Sequence, residues 1–166
     1  MDITSMNVAI VVVLVAVVYF VFLRSKGSST ICKTVTIFGN DKTNLSLAEV
    51  QVFGSDGKNV ALGGNASQSS TDHGGVAARA IDGNTDGTFL NNSVTHTVTG
   101  SPGQFWSVDI IPQVIKSVVI HNRIDDCLGI NCSERLVGAK LVLYDEANKS
   151  FFEKVLTGAA KQTVSI

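Results

Sequence analysis

Proline, cysteine and charge are all scarce: two prolines, three cysteines and 16% charged residues in a chain of 166. Three cysteines, Cys32, Cys127 and Cys132, exclude the dense disulfide framework that staples small secreted domains. They also exclude a convincing zinc site, because CLGINC has no partner pair elsewhere. Either Cys127 and Cys132 close a small loop and leave Cys32 single, or all three are thiols. From Ser28 onward eleven Lys and Arg stand against thirteen Asp and Glu. That near-balance excludes the basic face of a nucleic-acid binder. In that same stretch no long helical pattern, low-complexity tract or internal repeat is present. No segment supplies an activated nucleophile or a poised acid–base pair, so the chain reads as a non-enzyme.

What is abundant is an apolar run at the start. Val8 to Leu23 are all apolar and are closed by Arg24 and Lys26. A soluble domain has no use for a helix that is hydrophobic on every face. The run spans about 24 Å as a helix, and the uncharged Ile3 to Asn7 extend it to about one bilayer crossing. The basic start and small-residue cleavage site of a signal peptide are missing. Residues 1–26 are therefore expected to be a single-pass transmembrane anchor. The two positive charges after it place the following domain on the cytoplasmic face, where the three cysteines would be reduced. Residues 27–33 read as a short linker and 34–166 as one domain.

That domain reads as all-β. The stretches KTVTIF, LSLAEVQVF, QFWSVDII, QVIKSVVIHN, AKLVLY, SFFEKVL and QTVSI are separated by Gly-rich breaks such as GSDGKN, HGG and DGNTDG. Leu45-Ser46-Leu47 and Phe105 to Asp109 alternate as half-buried strands do. Only Gly75 to Ile81 suggests a helical turn. Many short strands between Gly-rich turns point to a sandwich or jelly roll. Trp106 shares a strand face with Val108 and Ile110 and is expected to anchor the core.

Several strings in one order carry a resemblance: NVALGGNASQSST (59–71), ARAIDGNTDG (78–87), SVTHT (93–97), FWSVDI (105–110) and HNRIDDC followed by CSERLVGAK. They resemble the F-type lectin, or fucolectin, family of the discoidin and galactose-binding-like sandwiches. The resemblance runs from about Asn59 to Tyr144. It implies an eight-stranded jelly-roll β-sandwich that binds a terminal sugar, often fucose, with calcium holding the loops. The implied sugar site is His96, Arg123 with Asp125, and Arg135 as the second basic residue. Imidazole and guanidinium groups would donate to sugar oxygens, with Asp125 holding Arg123 by a charge-assisted pair. The family pattern has adjacent cysteines and a shorter gap before the second Arg. Here Leu128 to Asn131 separate Cys127 from Cys132, and Ile130 falls where the second basic residue belongs. Arg135 reaches the pocket only if the inserted residues loop out.

By the same resemblance, calcium would take oxygens from Arg79, Asp82, Asn84 and Ser93, all in or near DGNTDG. The family's remaining ligands lie in a C-terminal strand that QTVSI does not match. Leu47 to Phe53 near the front does, so Val35 to Phe53 reads as that strand moved by circular permutation. Ala48 and Glu49 then complete the shell. Plain turn chemistry also explains DGNTDG. His73 and His121 read as ordinary surface or hydrogen-bonded residues. Five N-x-S sequons, at Asn44, Asn65, Asn91, Asn131 and Asn148, carry meaning only outside the cytosol.

Two functions follow. The interrupted sugar loop and the cytosolic orientation favour a membrane-anchored docking protein that links a membrane to a protein shell. Small membrane proteins of large DNA viruses, with a capsid over an internal membrane, offer the analogy of a minor capsid protein in a virion. The motif set favours the alternative, a calcium-dependent lectin for fucosylated glycans.

Overall fold

A computed structural model describes residues 30–40 and 42–166. The expected anchor at 1–26 lies outside them. Among the described residues no helix is long and apolar enough to cross a membrane. Seven antiparallel strands form in chain order: β1 (Ile31–Phe38), β2 (Leu47–Gly54), β3 (Asn65–Gln68), β4 (Phe105–Asn122), β5 (Lys140–Tyr144), β6 (Ser150–Val155) and β7 (Lys161–Ser165). The chain is thus all-β, consistent with a β-sandwich. β1 begins at Ile31, inside the stretch read as linker. The implied eight strands are seven among the described residues.

β4 organises the rest. QFWSVDII and QVIKSVVIHN, read as two strands, are one strand of 18 residues. Its first half pairs with β1 and β3, and its second half with β2 and β7. β5 extends the first ladder from β1, and β6 from β5. Pro112 lies where the pairing changes. It has no N–H to give, and β1 skips register between Cys32 and Thr34 opposite it, so the missing donor costs no ladder bond.

The two ladders bury their apolar faces against each other. Val35, Ile37, Trp106, Val108, Leu141 and Leu143 from one meet Val50, Val52, Val118, Ile120 and Val164 from the other. Trp106 is fully buried, as its strand face requires, and its Nε1–H donates to the Ala77 carbonyl at 3.0 Å. That bond ties the 3-10 turn Ala77–Ile81 to the core, where Gly75 to Ile81 suggested a helical turn.

Two local expectations fail. Leu45-Ser46-Leu47 does not alternate; all three are buried. The Leu45 N–H is bonded by the Thr97 hydroxyl and the Gln104 amide oxygen, both at 2.8 Å, so side chains replace a strand there. β3 escaped notice because Asn65–Gln68 carries no large apolar residue; its place comes from β4 alone.

Candidate functional site

His96, Arg123 and Arg135 come from three distant segments and line one pocket of about 320 Å³. Arg123 follows the end of β4 and is buried. Its Nε and NH2 donate to the two oxygens of Asp125 at 2.6 and 2.9 Å, the bidentate fork that fixes a guanidinium plane. The Phe89 ring lies 4.6 Å from its Cζ. Burial alone would raise the Asp125 carboxyl, but the hydrogen bonds and charge of Arg123 hold it below the usual range. Asp125 therefore orients Arg123 rather than lining the pocket.

Arg135 reaches the pocket because the inserted residues loop out. The Cys127 N–H donates to the Ile130 carbonyl at 2.8 Å, with Leu128 and Gly129 at φ 59° and 87°. Two successive positive φ values make the tight turn that suits a two-residue hairpin. Asp126 and Asn131 pair across it, and a Cys127–Cys132 disulfide closes its base with the Cα atoms 5.5 Å apart. Asn131 then caps the following 3-10 turn, Cys132–Leu136, by accepting from the Ser133 N–H at 3.0 Å. Arg135 stands on that turn. Its NH1 is buried with no hydrogen-bond partner. Burial and the neighbouring Arg123 charge lower its pKa, against the opposing pull of Asp125. Ile130, placed at the second basic position by spacing, is exposed on the turn instead.

The disulfide corrects the expectation of three reduced thiols. Cys32 alone is free, and burial pushes its thiol up to about 11. Native alkylation is therefore expected to label no cysteine, and denaturation without reductant to release one. Replacing both Cys127 and Cys132 by Ser should lower stability by about 2 kcal/mol for so short a loop, read as a drop in the urea midpoint. Three labelled thiols in the denatured, unreduced chain would remove the bridge.

His96 takes a different role from the one expected of it. Its Nδ1–H donates to the Thr97 carbonyl at 2.8 Å, and its Nε2 accepts from the Asn44 amide at 3.1 Å. Both ring nitrogens are committed inside the protein, so the pocket meets the ring rather than an N–H donor. Burial first, then Arg123, Arg135 and His73, lower its pKa against the Thr97 bond, which keeps the imidazole neutral. Buried Asn44 cannot serve as a glycosylation acceptor in this fold.

The pocket also holds residues that the sequence reading did not assign to it: His73, Phe89, Asp126, Cys127 and Leu128. The rings of His73, Phe89 and His96 meet edge to face, with His73 and His96 centroids 5.2 Å apart. A signal was present in His73-Gly74-Gly75. A Cβ on Gly75 would stand 2.5 Å from the His96 backbone nitrogen, so only glycine lets the loop pass. His121 lies apart on β4, its Nε2 buried and unpaired.

The residues assigned to calcium lie on β2 and the loop beside it. Glu49, fully buried, accepts from the Gly83 N–H at 3.2 Å through Oε1, while Oε2 has no partner. Burial pushes its carboxyl up to about 7, and the nearby Asp82 charge adds to the rise. Asp82, Asn84 and Asp86 each accept from the N–H two residues on, at 2.8, 3.1 and 2.9 Å. Ser93 is buried and its hydroxyl donates to the Thr88 carbonyl at 3.0 Å. Ala48 is buried beside Glu49, and the Arg79 guanidinium donates to Val94 and Asn92 oxygens. Among the described residues no three His, Cys, Asp or Glu cluster as a metal site. The set therefore has two carboxylates, with carbonyls and hydroxyls for the rest. An all-oxygen set with an orphaned buried carboxylate oxygen fits a hard cation such as calcium.

Fold and pocket together define a β-domain with a cationic, aromatic-lined pocket. No family model matches the chain. It is 41% identical to Fucolectin-1 of Anguilla japonica over 92 residues, covering 52% of this chain and 48% of that protein. It is likewise 41% identical to Fucolectin of Anguilla anguilla over 90 residues, covering 51% and 53%. The chain thus spans about half the length of these curated relatives. A solved histidine mutant of the lectin binding domain of Lectinolysin, complexed with Lewis b, superposes with a TM-score of 0.59 at 35% identity. The match covers 66% of this chain and 76% of that one. The chain belongs to the F-type lectin family.

Proposed function

We propose that the domain binds fucose-type terminal sugars through Arg123 and Arg135, with His96 and Phe89 as the ring walls. The observation that carries this is the convergence of an Asp125-locked Arg123 and an unpartnered Arg135 NH1 in one pocket. Two fixed guanidinium groups offer donors to the hydroxyl and ring oxygens of a neutral sugar. The names of the relatives and the Lewis b of the structural neighbour support the same reading. The docking or minor capsid reading rested on a cytosolic orientation and on an interrupted sugar loop. The second support is gone once the insertion folds into its own turn, and no relative favours a shell or protein partner.

Glu49 and Asp82, with Ala48, Arg79, Asn84 and Ser93, would hold calcium, which brings the two carboxylates together and fixes the 79–93 loop beside the pocket. The front position of Glu49 supports a circularly permuted jelly roll, since β2 precedes the loop it meets. The Cys127–Cys132 bridge favours an oxidising compartment over the cytoplasmic face. The apolar run 8–23 still supports a membrane anchor, which would cluster weak sites into an avid surface. A glycan array probed with and without calcium tests the function. Signal confined to fucose-terminated structures is expected, and silence across them would defeat it.

A further inference from the structure

A second cleft shares no residue with the arginine pocket. On β1, Val35 and Ile37 enter the core while Thr34, Thr36 and Phe38 alternate to the other face. Across the ladders Phe38 stands opposite Phe105, Thr36 opposite Ser107, and Thr34 opposite Tyr144. These residues, with Asn148 from the β5–β6 turn, line an open cleft of about 340 Å³. Two phenylalanine rings mark one end and a tyrosine ring the other. The two ends stand four positions apart along β1, roughly 13 Å at the strand rise. Between them the floor is hydroxyl: Thr36 and Ser107 share a bond of 2.9 Å, and Thr34 donates to Asp109 at 2.6 Å.

The lining excludes most occupants. An anion would find no Lys or Arg in the cleft. An apolar ligand would use the rings but none of the acceptor lone pairs that the floor hydroxyls still offer. A peptide strand would need an open edge, and β1 is paired on both sides. A neutral saccharide chain meets every requirement. Its pyranose C–H faces pack on aromatic rings, its hydroxyls exchange hydrogen bonds with Thr, Ser, Tyr and Asn, and it is long enough to touch both ends. We propose that this cleft is a second carbohydrate site, for a neutral oligosaccharide of several units, working independently of the arginine pocket.

The test titrates the full chain with fucose-free neutral tetrasaccharides: chitotetraose, cellotetraose and lacto-N-tetraose. Saturation-transfer NMR and calorimetry give the readout. At least one should bind, with Arg123→Ala leaving its affinity unchanged, which separates this site from the terminal-sugar site. Phe105→Ala and Tyr144→Ala should each weaken it about tenfold. Asn148 has φ 58°, a conformation glycine adopts freely. Asn148→Gly therefore removes the rim amide without disturbing the core, and should weaken binding about threefold. Binding by none of the three sugars, binding lost in Arg123→Ala, or binding indifferent to all three cleft variants would each overturn the proposal.

Discussion

Arg123→Ala is expected to abolish detectable binding of fucose-terminated glycans while leaving a folded β-domain. Arg123 is buried and spends two donors on Asp125. Its loss removes a charged, pre-oriented donor from the sugar contacts, typically a cost of about 1.5–3 kcal/mol. That corresponds to roughly ten- to 150-fold in affinity, enough to take a weak single-site lectin below detection. Arg123→Lys should not rescue it, because an ammonium cannot occupy both Asp125 oxygens in one plane. Arg135→Ala should fall nearly as far, since the unpartnered NH1 has no competing role in the protein. His96→Ala should cost less than either, because both imidazole nitrogens are already committed to Thr97 and Asn44. Full affinity for fucosides in the Arg123 variant, measured by calorimetry, would exclude the pocket.

Calcium is expected to change both the stability of the domain and its dependence on pH. Burial holds the Glu49 carboxyl near 7 against an ordinary 4.5. Between those two values the unfolded chain has released the proton that the folded chain keeps. Without a cation, stability therefore falls as pH rises through this window and is lowest above it. A cation on the carboxylate removes the penalty. Calcium at one hundred times its dissociation constant should add about 2.7 kcal/mol, or on the order of 5–10 °C in melting temperature for a domain of this size. The gain should be largest above pH 7 and vanish near pH 4.5, where protons compete for Glu49. Glu49→Gln keeps the side-chain shape without the charge. It should flatten the pH dependence and erase the calcium response together. A wild-type melting temperature that ignores both calcium and chelator above pH 7 would sink the site.

The strand inventory was legible in local pattern because alternation and Gly-rich breaks act within a few residues. Six of the seven strands coincide with apolar stretches, and Trp106 had to be buried by its strand face alone. The pairing of Arg123 with Asp125 was legible for the same reason, as the two stand two residues apart. Local pattern could not join two β-stretches across Pro112, because a proline breaks a ladder only where its N–H would be needed. That depended on the register skip in the neighbouring β1.

Local sequence set which side chains the two sites could draw on: Arg123, Arg135, His96, an acidic loop and a split cysteine pair. Tertiary structure decided what they became. An insertion that ruins the spacing of Arg135 on paper still leaves it lining the pocket, once a disulfide and a two-residue turn return the chain to its starting point. His73, unremarkable in sequence, stands over His96 because Gly75 lets the loop approach. Glu49 could be assigned to calcium by resemblance alone; only the fold brings Gly83 to it and leaves a carboxylate oxygen buried without a partner. Spacing measures distance along the chain, whereas binding depends on distance through space, and turns, glycines and long-range strand pairing set the relation between them.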